Sequence, residues 1–269
     1  MWLFGYGSLI WRPDLEYEAS IAGYIQGYVR RFWQSSTDHR GTEEAPGRVV
    51  TLIPYQEFVA KFGSEDEHHS EADGITWGVA YKIPHHKVAE TRAYLDHREK
   101  NGYETHFVDI YQPGSDMPVV EKAIVYIGST TNSEFAGPAP LDALAKQIFE
   151  SHGPSGANRD YLLNLAHSLR IVAPTSEDHH LFELERRVQQ HLMKESAGGS
   201  QEAYQALMDK IIVQSHPAAT TSETDMSAAS SPVSGALLSS SSTSTNSSSE
   251  RSSAVSPSSS TVSLQSSKQ

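Results

Sequence analysis

Near residue 216 the chain stops offering anything to bury. From 216 to 269 it runs in Ser, Thr, Ala and Pro, as in "LLSSSSTSTNSSSERSSAVSPSSSTVSLQSS", without a Phe, Tyr or Trp. Such a segment cannot remove enough apolar surface from water to offset the entropy of ordering it. A disordered tail is therefore expected over 216–269, and any core must come from what precedes it. A second boundary lies upstream, where "SAGGS" at 196–200 reads as a flexible joint. The expected division is a folded body over 1–195, a joint with a peripheral helix over 196–215, and the tail.

Within the body, short β-rich runs come first. "GRVVTLIP", "TWGVAYKI" and "VEKAIVYIG" are rich in Val, Ile and Tyr and bounded by Gly, Pro or Asp, which predicts strands. Helical spacing appears later. One helix is expected over 85–100, entered at Pro84. Another follows Pro140, with Leu141, Leu144, Ala145, Ile148 and Phe149 on one side, and a third starts at Asn158, which has the chemistry of a cap. Leu181, Leu184, Val188 and Leu192 mark a fourth over 178–195. Tyr204, Leu207, Met208 and Ile211 mark a fifth over 201–213. Strands followed by helices predict an α+β domain, a small mixed or closed sheet with helices outside it. The acidic "KFGSEDEHHSEADG" has no periodicity and reads as a surface insertion.

Composition removes several classes of function. The 269 residues carry a net charge of −12 and no cysteine. The acidic balance argues against nucleic acid, whose phosphates need a basic stripe. The missing thiol removes disulfides, a cysteine nucleophile and cysteine-based metal sites. No run approaches the ~20 apolar residues of a spanning helix, and Met1-Trp2-Leu3-Phe4 lacks a basic leader. No membrane contact is expected, and the cytoplasm is the default compartment, with nuclear entry left open.

Three stretches carry candidate chemistry. Gly5-Tyr6-Gly7-Ser8 breaks an apolar strand-like start; it reads either as a tight turn or as a bend where another molecule approaches the main chain. In "TRAYLDHREKNGYE", Val88, Arg92, Leu95 and Glu99 share one helical stripe. Glu99 then faces the interior at a helix C-terminus, where the dipole and burial both favour its protonated form. That suits a general acid–base, although an ion pair with Arg92 or Arg98 would explain it equally. Finally, "RRFWQSSTDHRG" and Arg48 gather Arg30, Arg31, Gln34, Ser36, Asp38, His39 and Arg40, a set suited to a small anionic ligand or to surface ion pairs. A Ser8–His39–Asp38 triad is discounted, since adjacent Asp and His seldom face each other and Ser8 lacks the nucleophile-elbow pattern. The pairs His68-His69, His85-His86 and His179-His180 lack zinc-helix spacing and read as surface histidines.

Taken in order, "FGYGSLIW", "RRFWQSSTDHRG", "PGRVVTLI", "WGVAYKI", "YLDHREKNGYE", "YIG" and "GPSGANRDYL" resemble the ChaC family of glutathione-specific γ-glutamylcyclotransferases, from Met1 to about Met193. The resemblance implies a γ-glutamylcyclotransferase-like fold, a small mixed β-barrel with surrounding helices. It implies cleavage of glutathione to 5-oxoproline and Cys-Gly without cofactor or metal. It places the loop that holds the γ-glutamyl group on Tyr6, Gly7, Ser8 and Leu9, and the catalytic carboxyl on Glu99. Arg40 is a weaker candidate for the substrate's glycine carboxylate, and Glu90 reads as surface. Where the family commonly has glycine, this chain has Asn101, which also tolerates a left-handed cap. Two other readings stand beside this one: a cyclotransferase for other γ-glutamyl amino acids or amines, and a non-catalytic regulatory binding protein whose tail recruits partners.

Overall fold

A computed structural model describes residues 1–66, 74–98, 103–196 and 200–212. Glu99, Asn101, the His68-His69 pair and the tail from 213 lie outside the described residues.

The centre of the molecule is its first strand. β1 (Trp2–Gly5) lies between β5 (Ile75–Lys82) and β7 (Val120–Gly128), while β2 (Ala19–Gln26) and β6 (Tyr103–Ile110) flank these, giving the order β2-β5-β1-β7-β6. β1 runs antiparallel to β5, with Gly5 opposite Val79, and parallel to β7, with Leu3 opposite Ile124. Its successive residues Leu3 and Phe4 are both buried, as a strand covered on both faces requires. The expected mixed sheet is thus present, but the barrel is not a continuous ladder. Its edges β2 and β6 meet beyond the end of β6, where Tyr24 and Tyr111 exchange hydrogen bonds of 2.9 and 2.8 Å.

A second, two-stranded sheet pairs β3 (Tyr28–Ser36) with β4 (Gly47–Pro54). Arg31 lies opposite Thr51 and Gln34 opposite Val49, so β3 carries one extra residue between them, a β-bulge. Where the sequence offered a small anionic ligand or surface ion pairs, Arg30 and Arg31 lie on a buried strand, and Arg48 on its partner. Arg30 donates through Nε and Nη2 to Asp178 Oδ2 at 2.8 and 2.7 Å, and through Nη1 to the carbonyls of Tyr6 and Trp77 at 2.9 and 3.0 Å. Arg31 pairs with Asp66 and stacks over Phe58. Arg48 donates to Gln147 and to the carbonyl of Gly137. These three arginines are structural ties.

The helices are α1 (Tyr55–Lys61), α2 (Val88–Arg98), α3 (Leu141–Glu150), α4 (Asn158–Val172), α5 (His179–Glu195) and α6 (Gln201–Ile212). α2 is preceded by a single 3-10 turn at His85–Lys87 rather than starting at His85. α4 is the inner helix, burying Leu162, Leu163, Leu165, Ala166 and Leu169. Met208 and Ile211 of α6 belong to the same core. Two local expectations fail. Asn158 does not cap α4; Ala157 does, and the buried Asn158 amide pairs instead with strand β4, accepting from Arg48 N at 2.6 Å and donating to Arg48 O at 2.8 Å. His180 is not a surface residue: it is 2% exposed, and its Nε2 accepts from the amide of Phe32.

Candidate active site

β1 delivers the chain to the cleft. Beyond Gly5 it bends and closes a 3-10 turn at Ser8–Ile10, with Ile10 N donating to Gly7 O at 3.0 Å and Arg12 N to Ser8 O at 2.9 Å. Buried donors tie the bend from behind. Arg30 holds the Tyr6 carbonyl, and the Tyr81 hydroxyl donates to Leu9 O at 2.6 Å. Burial pushes the Tyr81 phenol well above its ordinary pKa, with a smaller contribution from Tyr17, so it stays a donor at any working pH. The Tyr6 hydroxyl donates to Tyr126 O at 2.9 Å, fixing that side chain against β7. A loop whose carbonyls are tied inward offers a fixed main-chain surface on its other side.

That side borders a cleft of about 480 Å³, which residues 5–9 line together with Arg40, Tyr161 and Gln34. Tyr161 comes from α4 and is wedged edge-on between Trp11 and Phe32, at centroid distances of 5.3 and 6.0 Å. Its hydroxyl explains the glycine opposite: a Cβ on Gly7 would lie 2.9 Å from Tyr161 OH and 3.1 Å from Val50 Cγ2. The main chain of the bend is therefore packed against a polar side chain at the wall of the cavity.

Arg40 stands at the same wall. Its amide donates to Ser36 Oγ at 3.0 Å and its Nη1 to Ala157 O at 3.1 Å, with the guanidinium 5.6 Å above the Tyr161 ring. Burial lowers its pKa, while Tyr161 and Asp160 oppose that fall; an arginine remains a cation regardless. His39 does not serve a triad. Its Nδ1 lies 3.3 Å from Ser155 Oγ and its Nε2 3.7 Å from Asp38.

Leu95 of α2 and Tyr103 of β6 also line the cleft. They bracket in sequence the segment 99–102 that holds Glu99, which itself lies outside the described residues. Glu90 is exposed and pairs with Lys87 at 2.9 Å. Among the described residues there is no group of acidic, His or Cys side chains able to hold a metal ion, and no helix long and apolar enough to cross a membrane. Asp178, which the sequence reading passed over, joins the site's support to the helical layer. Its Oδ1 caps α5 by accepting from Leu181 N at 3.0 Å, while its Oδ2 holds Arg30.

Comparison with known proteins adds to this picture. A family model described as ChaC-like protein matches residues 1–191. A glutathione-specific gamma-glutamylcyclotransferase of Schizosaccharomyces pombe is 45% identical over 195 residues, covering 72% of this chain and 95% of its own length. The glutathione-specific gamma-glutamylcyclotransferase 1 of Homo sapiens is 43% identical over 184 residues, 67% of this chain and 75% of its own. A crystal structure of a gamma-glutamyl cyclotransferase specific to glutathione from yeast superposes with a TM-score of 0.60 at 37% identity, covering 71% of this chain and 98% of that one.

Proposed function

We propose, from the premise that this chain belongs to the ChaC-like family, that it is a glutathione-specific γ-glutamylcyclotransferase acting in the cytoplasm. The observation that carries the reading is the bend at residues 5–9, tied by Arg30 and Tyr81 and packed against Tyr161 at a cleft of about 480 Å³. It stands in a chain whose relatives at 39–45% identity include several named for this activity.

In glutathione the α-amine and the γ-carbonyl belong to one glutamyl unit. The amine nitrogen attacks the γ-carbonyl carbon, a five-membered ring closes, and the bond to the cysteinyl nitrogen breaks. Protons must move: the ammonium nitrogen loses one before attack and a second as the lactam forms, while the departing nitrogen gains one as its bond breaks and another as the freed amine becomes an ammonium. The products are 5-oxoproline and Cys-Gly, and no protein nucleophile takes part, in keeping with a chain that has no cysteine.

The enzyme's task is then to fold the glutamyl chain onto itself and carry the proton. Tyr6, Gly7, Ser8 and Leu9 are the residues proposed to hold the γ-glutamyl group, with main-chain donors facing its carboxylate and γ-carbonyl. Because glutathione already carries both groups in one molecule, keeping the reactive conformer is worth less than the ~7–11 kcal/mol of joining two separate reactants. Glu99 is proposed to take the ammonium proton and return it to the leaving nitrogen; the positions of Leu95 and Tyr103 at the cleft support this. Arg40 is the cation proposed for the substrate's glycine carboxylate, which its place at the wall beside Tyr161 supports. The folded body over 1–195 is assigned the whole reaction, and the remainder of the chain none of it.

Mass-resolved product analysis tests the reading. Glutathione and γ-glutamyl-alanine are incubated with the wild type and with Glu99→Gln. Release of 5-oxoproline and Cys-Gly from glutathione alone, absent in the variant, is the expected result. Product from both substrates would widen the substrate class, and no product from folded wild type would refute the activity.

A further inference from the structure

The candidate loop has a front and a back. Residues 5–9 border the cleft, whereas Arg30 is 3% exposed and borders a separate hollow of about 120 Å³ with Trp77 and Asp178. Four hydrogen bonds fix its guanidinium plane: Nε and Nη2 donate to Asp178 Oδ2, and Nη1 donates to Tyr6 O at 2.9 Å and Trp77 O at 3.0 Å. In a trans peptide the C=O and N–H point opposite ways. A Tyr6 carbonyl turned back to Arg30 therefore turns the Gly7 N–H forward, and Gly7 lines the cleft. Among the described residues that N–H has no acceptor, while the Gly7 carbonyl accepts from Ile10 N at 3.0 Å.

The donors behind the loop are not equivalent. The carbonyls of Gly7, Ser8 and Leu9 accept from neutral groups: the main-chain amides of Ile10 and Arg12 and the Tyr81 hydroxyl. The Tyr6 carbonyl accepts from a cation. A hydrogen bond at one end of a peptide polarises it and strengthens the bond made at the other end, more so when the donor is charged. The Gly7 N–H is thus the loop amide best suited to an oxygen that becomes negative.

We infer that Arg30 is a positioning residue of the reaction: it aims and strengthens the Gly7 N–H, which donates to the γ-carbonyl oxygen of the γ-glutamyl group. This rests on the cyclotransferase reading above. As the α-amine adds to the γ-carbonyl carbon, the carbonyl π pair moves onto its oxygen, and it returns when the bond to the cysteinyl nitrogen breaks. That oxygen gains charge only along the reaction path, whereas the substrate's α-carboxylate carries the same charge throughout. A strengthened donor on the γ-carbonyl therefore speeds the chemical step rather than merely tightening binding. The planar fork of an arginine can hold Asp178 and two carbonyls at once, which a point charge cannot.

The test separates aim from stability. Arg30→Met alone strands the Asp178 carboxylate and shows first as lost stability, so the ion pair is removed whole. Glutathione turnover is compared between full-length Asp178→Asn, which keeps Nη1 on Tyr6 O and an N-cap for α5, and the double variant Arg30→Met with Asp178→Asn. Well below the melting temperatures, kcat of the double variant should fall about ten- to hundredfold below that of Asp178→Asn, with KM within about threefold. Equal kcat, or a loss confined to KM, overturns the proposal. Should the double variant not fold, amide NMR with 5-oxoproline decides, since its lactam carbonyl is the former γ-carbonyl. The Gly7 amide proton of wild type should move downfield as 5-oxoproline is added, and a signal that stays in place at saturation overturns the proposal. The shift should shrink in Arg30→Lys, which keeps a charge without the fork, and an undiminished shift there overturns it as well. A wild type that leaves glutathione intact refutes the cyclotransferase reading instead; the Gly7 titration then decides the amide contact.

Discussion

The two halves of β3 bury polar side chains for opposite ends. Before the bulge, Arg30 engages one carboxylate and two carbonyls, and Arg31 pairs with Asp66 over Phe58. Beyond it, Gln34 is as deeply buried yet its Oε1 has no partner, and Arg40 stands half-buried at the cleft. Burial costs the same kind of desolvation in both halves. In the first it is offset within the fold; in the second the Gln34 oxygen is left without a protein partner. The bulge between Arg31 and Gln34 marks where the strand passes from one state to the other.

This contrast can be broken most directly at Glu99. Glu99→Gln should lose nearly all turnover while its circular dichroism matches wild type; undiminished turnover would remove Glu99 from the chemistry. On the other side of the bulge the effect should fall on stability. Arg30→Met leaves Asp178 without its buried cation and should cost about 3–5 kcal/mol in a denaturant melt, and a loss below about 1 kcal/mol would mean the tie is dispensable. Gly7→Ala sharpens the contrast at the loop itself. A methyl group there meets Tyr161 OH at 2.9 Å and should cost about 1–3 kcal/mol of overpacking, together with a larger loss of turnover. Adding Tyr161→Phe, which removes that hydroxyl, should restore part of the stability. Deleting residues 217–269 should leave turnover in vitro unchanged, and a large drop would bring the tail into the site.

The smallest effect lies on α5, away from the cleft. Hydrogen bonds from Arg186, then Arg187, hold the Glu183 carboxyl down at about 2 against an ordinary 4.5. A depressed folded-state pKa contributes stability above the unfolded value, and that contribution fades as pH falls from about 4.5 to about 2. Glu183→Gln should therefore cost under about 1 kcal/mol at pH 7, since such pairs are solvent-screened, and nothing near pH 2.

The legible parts of this fold were those where the local pattern and tertiary use agree. "GRVVTLIP" and "VEKAIVYIG" are β4 and β7 to the residue, and α3 starts directly after Pro140. β3 was hidden because its bulge breaks alternation and its buried arginines read as solvated charge. Asn158 was misread because its amide serves a strand 110 positions away in sequence rather than its own helix. His180 looked superficial until the amide of Phe32, distant in sequence, supplied its partner. At the candidate site, the Gly5–Gly7 bend and Arg40 were visible as motifs. The open valence of Gln34 was not, since no sequence shows that a hydrogen bond has not been made.

The central position of β1 also bears on biosynthesis. The strand that carries the candidate loop is made before either of its neighbours, since β5 and β7 are residues 75–82 and 120–128. Long-range pairings of this kind form late, so the nascent strand waits with its edges unpaired until β5 and then β7 have been made. Tyr161 and Arg40's partner Ala157 come later still. Interrupted chains end before the cleft can assemble, and competence to degrade a substrate is acquired only as the folded body is completed.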